Sequence, residues 1–545
     1  MFTGMKKIIF VLAICTSVLA ACARVEPTIG KSKGTEPEPE PEPDGTEEVK
    51  IDINTAFQTI ESFSASDCWL PNYIGTYWDE PVKAEIAKLL FSGEIKNRKP
   101  DGIGLSGWRF NLGGGTANQG AASGIDDESR RAESFMDPSD GSLDWTKQAG
   151  QQYFLRKAKE YGMTEQFVMF SNTPPVYLTK NGLGYNKGNN PTWRANLKSD
   201  CYDDFAGYIA AALNHFKTSL GIEFSFVSPA NEPQYNWTDS SQEGSPYAND
   251  EIATLVREID RAITDAGLST QILISEAASW KYLYSDEDTY RWNQISDFFS
   301  SSSTNYIGDL ANVPNIIGGH SYGTDGNWNT MVETRRTVAQ AAQAAGLRLY
   351  QTEWSMLGDG YSASEFVGYD NATEMDIALY MSKVIHCDLT YAGVSSWSYW
   401  TAVDLERWDH KNRFLLIKAV PSGGVYGDIK SSGTCQAAKT LWVLGNYSRF
   451  VRPGYSRIKI EMDKGSQKFF GNAFAAPDGN TVVAVYTNLS GEEYDVRAAI
   501  AGFNPSEIKT YTTNSDMDLE EGSVGGRNIP IKIKPNSVVT VVYKK

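Results

Sequence analysis

Phe224-Ser225-Phe226-Val227-Ser228-Pro229 reads as a short apolar strand that stops at Ala230-Asn231-Glu232-Pro233. Before it, residues 202–220 repeat apolar positions at helical spacing, and after it residues 249–266 do the same. Strand and helix alternate, as parallel α/β structure requires, because a crossover between parallel strands needs a helix. Outward from this run, strand-like stretches recur at 59–65, 104–112, 165–171, 223–229, 271–275, 316–320, 348–352 and 393–400, with further helical patterns at 329–345 and 373–387. Eight such units predict a (β/α)8 TIM barrel over residues 59–450. Beyond it the helical text stops. Alternating runs at 456–462, 469–475, 481–488, 494–500, 507–512, 529–533 and 537–543, parted by Pro477-Asp478-Gly479-Asn480 and Gly525-Gly526, predict a fused C-terminal β-sandwich over 451–545. Ile51, Ile53 and Phe57 mark one more strand at 50–58, which precedes the first barrel strand and is expected to join the sandwich.

In a barrel of this kind, reacting side chains stand at the C-terminal ends of the strands. The fourth strand ends on Glu232, and the seventh, Leu347-Arg348-Leu349-Tyr350-Gln351-Thr352, ends on Glu353. Those two positions face each other across the barrel mouth. A single glutamate there is equally well explained by a helix cap or an arginine partner. A facing pair does more: one carboxyl that holds a proton gives it to a leaving oxygen, while the other attacks carbon or activates a water. Retention of configuration would need the two at about 5–5.5 Å. Glu276 ends the fifth strand and is the reserve carboxylate, expected as a substrate contact.

Aromatic residues gather at the same rim. Trp69 follows the first strand, Trp354 follows Glu353, and Ser396-Trp397-Ser398-Tyr399-Trp400 ends the eighth. Alternation turns Trp397 and Tyr399 to one side and leaves Trp400 near the rim. Sugar rings offer C–H faces that stack on indole, so Trp69, Trp354, Trp397 and Trp400 are expected against substrate. Core packing accounts for most of the 14 tryptophans, and Trp193, Trp237 and Trp280 are weaker loop candidates.

Composition narrows the partners. The chain has 545 residues, 41% of them hydrophobic, enough for a large core, and a net charge of -17. An acidic surface repels phosphate backbones, so no nucleic acid is expected and a neutral polymer suits it better. The four histidines, His215, His320, His386 and His410, lack metal-ligand spacing, so no metal is expected. Gly113-Gly114-Gly115 lacks the phosphate-binding spacing, and no Gly-x-Ser-x-Gly elbow occurs, so no cofactor is expected either. Cys68, Cys201, Cys387 and Cys435 are too irregularly spaced for any pairing to be read.

Residues 1–21 read as a signal peptide: Lys6 and Lys7, a short apolar run, then Leu19-Ala20-Ala21-Cys22. That ending resembles a bacterial lipobox and implies acylation of Cys22; the alternative is an ordinary signal peptide with an incidental cysteine. Residues 22–49 form a linker in which Glu36 to Pro43 alternates Glu and Pro, a stiff, soluble spacer. The expectation is a lipid-anchored monomer of the bacterial cell envelope, at the outer membrane or cell surface.

Ser228-Pro229-Ala230-Asn231-Glu232-Pro233 resembles the acid/base segment of clan A glycoside hydrolases, and Gln351-Thr352-Glu353-Trp354 resembles their nucleophile segment. With Gln58-Thr59-Ile60-Glu61-Ser62-Phe63, Trp108-Arg109-Phe110-Asn111-Leu112-Gly113-Gly114 and His320-Ser321-Tyr322, the text is similar to glycoside hydrolase family 30, in its branch related to endo-β-1,6-galactanases. The resemblance implies Glu232 as acid/base, Glu353 as nucleophile, Asn231 on the sugar 2-hydroxyl, Arg109 beneath the nucleophile, and His320 and Tyr322 lining the subsite. Ser64-Ala65-Ser66 departs from a usual Gly-Gly pair, which bears on the glycone subsite. The implied function is a retaining, endo-acting hydrolase of a β-linked polysaccharide, with β-1,6-galactan first and β-1,6-glucan or xylan as alternatives. A reading of another class is a non-catalytic surface glycan-binding lipoprotein, which would not need both glutamates.

Overall fold

A computed structural model describes residues 46–545, apart from Glu165, Trp408, Gly525, Arg527 and the side chain of Asp359. The signal peptide (1–21), Cys22 and the linker as far as residue 45 lie outside the described residues.

Eight parallel strand positions form the barrel: Ser62–Ser66, Gly107–Asn111, Phe167–Phe170, Phe226–Ser228, a split fifth strand, Ile316–His320, Arg348–Trp354 and Ser396–Tyr399. The fifth strand is broken at Leu273. Its first piece, Gln271–Ile272, pairs with the fourth strand, and its second, Ile274–Ala277, pairs with the sixth. The eighth strand pairs with the first, so the sheet returns on itself. These strands are buried on both faces, as a barrel inside a ring of helices demands, and the polar residues they carry are small or belong to the site.

The helices stand where 3.6-residue periodicity predicts them: Tyr202–His215, Asn249–Asp265, Trp328–Ala344 and Glu374–Cys387. Two of them share a termination device. Tyr202–His215 and Glu374–Cys387 each run into one wider turn, Phe216–Leu220 and Asp388–Ala392, and stop at Gly221 (φ 59°) and Gly393 (φ 69°). The left-handed backbone there is open to glycine at little cost, and it turns the chain back toward the next strand.

The C-terminal module is one hydrogen-bonded run of nine strands, and the N-terminal strand Glu47–Thr59 belongs to it. That strand lies antiparallel to Ser456–Met462 and parallel to Tyr494–Ala501. It begins earlier than position 50, because Val49 already packs in the module's core and the Glu47 carboxylate accepts the Lys464 amide. Alternation then divides each central strand between two cores. Val482, Ala484 and Tyr486 face the module's interior, where Ile508 and Ile531 meet from opposite ends of the sheet, while Val483 and Val485 face the barrel. Two features were not foreseen: the strand Glu520–Ser523, and a small sheet of Val403–Leu405, Ile417–Pro421 and Gly433–Ala437 after the eighth barrel strand. Cys68, Cys201, Cys387 and Cys435 are all free thiols.

Candidate active site

Glu232 and Glu353 meet at the barrel mouth. One carboxylate oxygen of each, with a ring nitrogen of His320, all lie within 4.8 Å of one another. Arg109, on the second strand and 2% exposed, is the hub beneath them. Its Nη1 donates to Glu353 Oε2 at 2.7 Å and to Ser66 Oγ at 2.9 Å. Its Nη2 donates to Asn231 Oδ1 at 2.8 Å and to Glu276 Oε2 at 3.1 Å. With its carbonyl so occupied, Asn231 has its amide NH2 left to donate, and the residue lines the cleft. Tyr322 Oη donates to the other Glu353 oxygen at 3.2 Å.

His320 joins the carboxylates. Its Nδ1 is 3.0 Å from Glu232 Oε1, and its Nε2 is 3.0 Å from Glu276 Oε2. Burial alone would suppress its charge, but Glu353, Glu232 and Glu276 push it up to about 9, so the ring is a cation at neutral pH. Burial likewise opposes ionisation of Glu276, yet Arg109 and His320 bring it down to about 2. Burial pushes Glu353 up, against the pull of His320 and Arg109.

The charges can be counted. Two cations, Arg109 and His320, face three carboxyls, one of which, Glu276, is firmly ionised. In a buried cluster neutrality is strongly favoured. A facing pair of carboxyls held by these two cations is the arrangement that acid-assisted nucleophilic attack requires. The spacing of Glu232, His320 and Glu353 would also admit a cation. A protonated imidazole with both nitrogens bonded to carboxylates opposes that, since ligation needs neutral imidazole.

Two cavities flank Glu232. One, of about 250 Å³, holds Glu353, Asn231 and Tyr322 under Trp69, Trp400, Arg130, Asp404 and Phe414. Trp69 and Trp400 meet edge to face at 5.2 Å, and Arg130 lies 5.1 Å over the Trp69 ring while pairing with Asp404 at 2.8 Å. The Trp69 Nε1 is buried with no partner among the described residues, a donor available to a hydroxyl. The other cavity, of about 520 Å³, lies on the far side of Glu232 and is lined by Tyr235, Trp237, Lys281, Tyr282 and Trp292 among others. Trp237, Tyr322 and Leu357 belong to both.

The sequence profile of O-glycosyl hydrolase family 30 matches residues 46–414, about two thirds of the chain. The chain belongs to that family. Among curated proteins, an endo-β-1,6-galactanase of Hypocrea rufa is 24% identical over 489 residues, covering 85% of this chain and 87% of its own. A glucuronoxylanase of Bacillus subtilis (strain 168) is 24% identical over 351 residues, covering 63% of this chain and 67% of its own. Among solved structures, a conserved exported protein from Bacteroides fragilis superposes with a TM-score of 0.83 at 30% identity, over 91% of this chain and 99% of that one. This family 30 protein is an O-glycoside hydrolase.

Several expectations for the family 30 site need correction. Trp354 and Trp397 do not reach the cleft: they are 1% and 0% exposed, and their indoles donate to Asp325 Oδ2 at 3.0 Å and Asp388 Oδ2 at 2.9 Å. The alternation that turns Glu353 inward turns Trp354 toward the helix layer. Glu276 is 0% exposed and lies beneath the reacting groups, so it positions Arg109 and His320 and is not a substrate contact. His320 itself is buried rather than lining the cavity. Trp280 is core, donating to Ser321 Oγ, and Trp193 stacks on Tyr290 outside both cavities. Trp237, a weak candidate from sequence, stands at the junction of the two cavities.

Arg130, Asp404, Phe414, Tyr282 and Trp292 were missed altogether. They come from loops and from short elements between the barrel units, such as the strand Val403–Leu405 and the helix Lys281–Tyr284, too short for periodicity to place them. Another unforeseen element is Glu243, fully buried, which accepts from Gly114 N at 2.9 Å and Thr116 Oγ1 at 2.7 Å. It anchors the triple-glycine loop, where a Cβ on Gly113 would fall 2.2 Å from the Glu133 carbonyl.

Proposed function

We propose that this chain cleaves β-1,6-linked galactan internally, with retention of configuration, using Glu353 as nucleophile and Glu232 as acid/base. The observation that carries the reading is the approach of the two carboxylates to within 4.8 Å, too close to leave room for the water that an inverting enzyme needs. Glu353 attacks the anomeric carbon as Glu232 gives its proton to the departing oxygen. Arg109 and Tyr322 hold the attacking carboxylate in line. Glu232 then takes a proton from water, which displaces Glu353 and returns the anomer to its original configuration. Asn231 donates to the 2-hydroxyl, a bond that strengthens as charge develops on the ring. Room for sugars on both sides of Glu232 supports internal cleavage. Galactan as substrate is supported by the fungal relative, whose similarity extends over most of both chains.

Digestion of β-1,6-galactan followed by ¹H NMR is expected to release oligosaccharides whose new ends appear first as the β-anomer. The α-anomer first would overturn retention, galactose alone would overturn internal cleavage, and activity confined to xylan or β-1,6-glucan would overturn the linkage. In Glu353→Gln, turnover is expected to fall by about 10⁴-fold while long oligosaccharides still bind. Wild-type protein that binds glycans without hydrolysing any would instead be a surface binder.

The chain's attachment is part of the same proposal: acylation of Cys22 would tether the enzyme to the cell envelope, with the Glu-Pro spacer holding it clear. The Leu-Ala-Ala-Cys sequence supports this. Cys22→Ala should move the protein from the membrane to the soluble fraction, and unchanged partition would refute the anchor.

A further inference from the structure

A cavity of about 710 Å³ lies between the barrel's flank and the C-terminal module, and it shares no lining residue with the cleft. Its walls are the helix Trp328–Ala344, the turn Asp388–Ala392, the strands Ser456–Met462 and Phe469–Ala475, and Phe57. The chain has 67 acidic side chains, yet none lines this cavity. Arg336, Arg457 and Lys459 do, and burial holds the neighbouring His386 neutral, down to about 4. Arg457 is 8% exposed, has no carboxylate to donate to among the described residues, lies 4.0 Å over the Phe57 ring, and donates to the neutral Gln58 Oε1 at 3.0 Å. Burial lowers it to about 10, so it remains a cation at neutral pH. Arg336 is exposed and has no ion pair among the described residues, its guanidinium 5.1 Å over the Tyr391 ring. Lys459 is the partial exception, pairing with Glu461 at 2.7 Å on the open side. Beside these cations stands an aromatic wall: Trp328 is 5.5 Å from Phe470, and Tyr391 stands edge-on to Trp328 at 6.3 Å.

A nearly buried guanidinium without an anion is an incomplete interaction, since removing a charge from water is costly until a partner arrives. Cations alone would suit any small anion. Cations beside half-buried tryptophan and tyrosine suit a ring with an apolar face and a carboxylate at its edge. We propose that this cavity is a second carbohydrate site, distinct from the cleft, that binds a uronate-bearing oligosaccharide through Arg336 and Arg457 with its sugar face on Trp328 and Tyr391. The site would hold acidic polysaccharide on the enzyme without taking part in cleavage. It does not depend on which linkage the cleft cuts.

Tetragalacturonate and its neutral methyl ester, titrated separately into the purified protein by calorimetry at low salt, test the proposal. Saturable binding of the acid form only is expected, weakened about tenfold in Arg336→Ala, with cleavage of the cleft substrate unchanged. Arg336 is exposed, so this variant keeps the fold, and Trp328→Ala serves as a second, independent probe of the ring contact. No saturable binding of tetragalacturonate, equal binding of the methyl ester, or binding indifferent to both substitutions would each overturn it.

Discussion

Glu276→Gln tests the charge count in the active site most directly. The substitution keeps the shape of a side chain that is 0% exposed but removes the anion that lies 3.1 Å from Arg109 and 3.0 Å from His320. Those two cations hold the Glu276 carboxyl at about 2 instead of 4.5, which corresponds to about 3 kcal/mol of favourable interaction. A stability loss of about that size is expected, in the range for breaking a buried ion pair. The catalytic effect follows from neutrality. With Glu276 uncharged, two cations face only two remaining carboxyls, and the excess positive charge favours their ionised form. Glu276 and Glu353 sit on opposite sides of one guanidinium, where unit charges interact by about 3 kcal/mol at an effective dielectric of about 20. The basic limb of the pH–rate profile should therefore move toward acid. Activity on polysaccharide at neutral pH should fall about 100-fold, whereas an aryl glycoside whose leaving group needs no proton should lose less than about 10-fold. The assay is kcat/KM against pH for both substrates, with urea unfolding alongside. Superimposable profiles and a stability change under about 0.5 kcal/mol would refute the argument. Equal losses on both substrates would point to a collapsed site instead.

Asn231→Ala should lower kcat on galactan about 100-fold, and a 2-deoxy substrate, which lacks the proposed partner, should lose far less when the two are compared in steady-state assays. Trp237→Ala removes the indole that both cavities share and should raise KM for long oligosaccharides about tenfold while leaving an aryl glycoside nearly unaffected. The folded His320, raised to about 9 from 6.5, contributes about 3 kcal/mol that is fully present below pH 6.5 and lost as pH rises through 9; urea unfolding of His320→Gln should show that alkaline slope flattened.

Much of this protein was legible from its sequence by itself. Parallel strands buried on both faces carry apolar runs, and surface helices carry a 3.6-residue stripe, so the order of elements in the barrel and the module follows from local pattern. A glutamate directly after an apolar strand is likewise a local signal, which is why Glu232 and Glu353 stand out in the text. What only the tertiary structure decided is direction and partnership. Trp354 and Trp400 look alike in sequence, but one step of strand alternation sends the first among helices and leaves the second in the cleft. Glu276 looks like a third cleft carboxylate, yet it lies sealed between Arg109, which is 167 positions away in the chain, and His320, 44 positions away. Trp237, Arg130 and Asp404 arrive on loops and short elements whose paths depend on what packs beneath them. Hydrophobic periodicity is a property of neighbours in the chain. Burial, charge state and the company a side chain keeps belong to residues that only the closed barrel brings together.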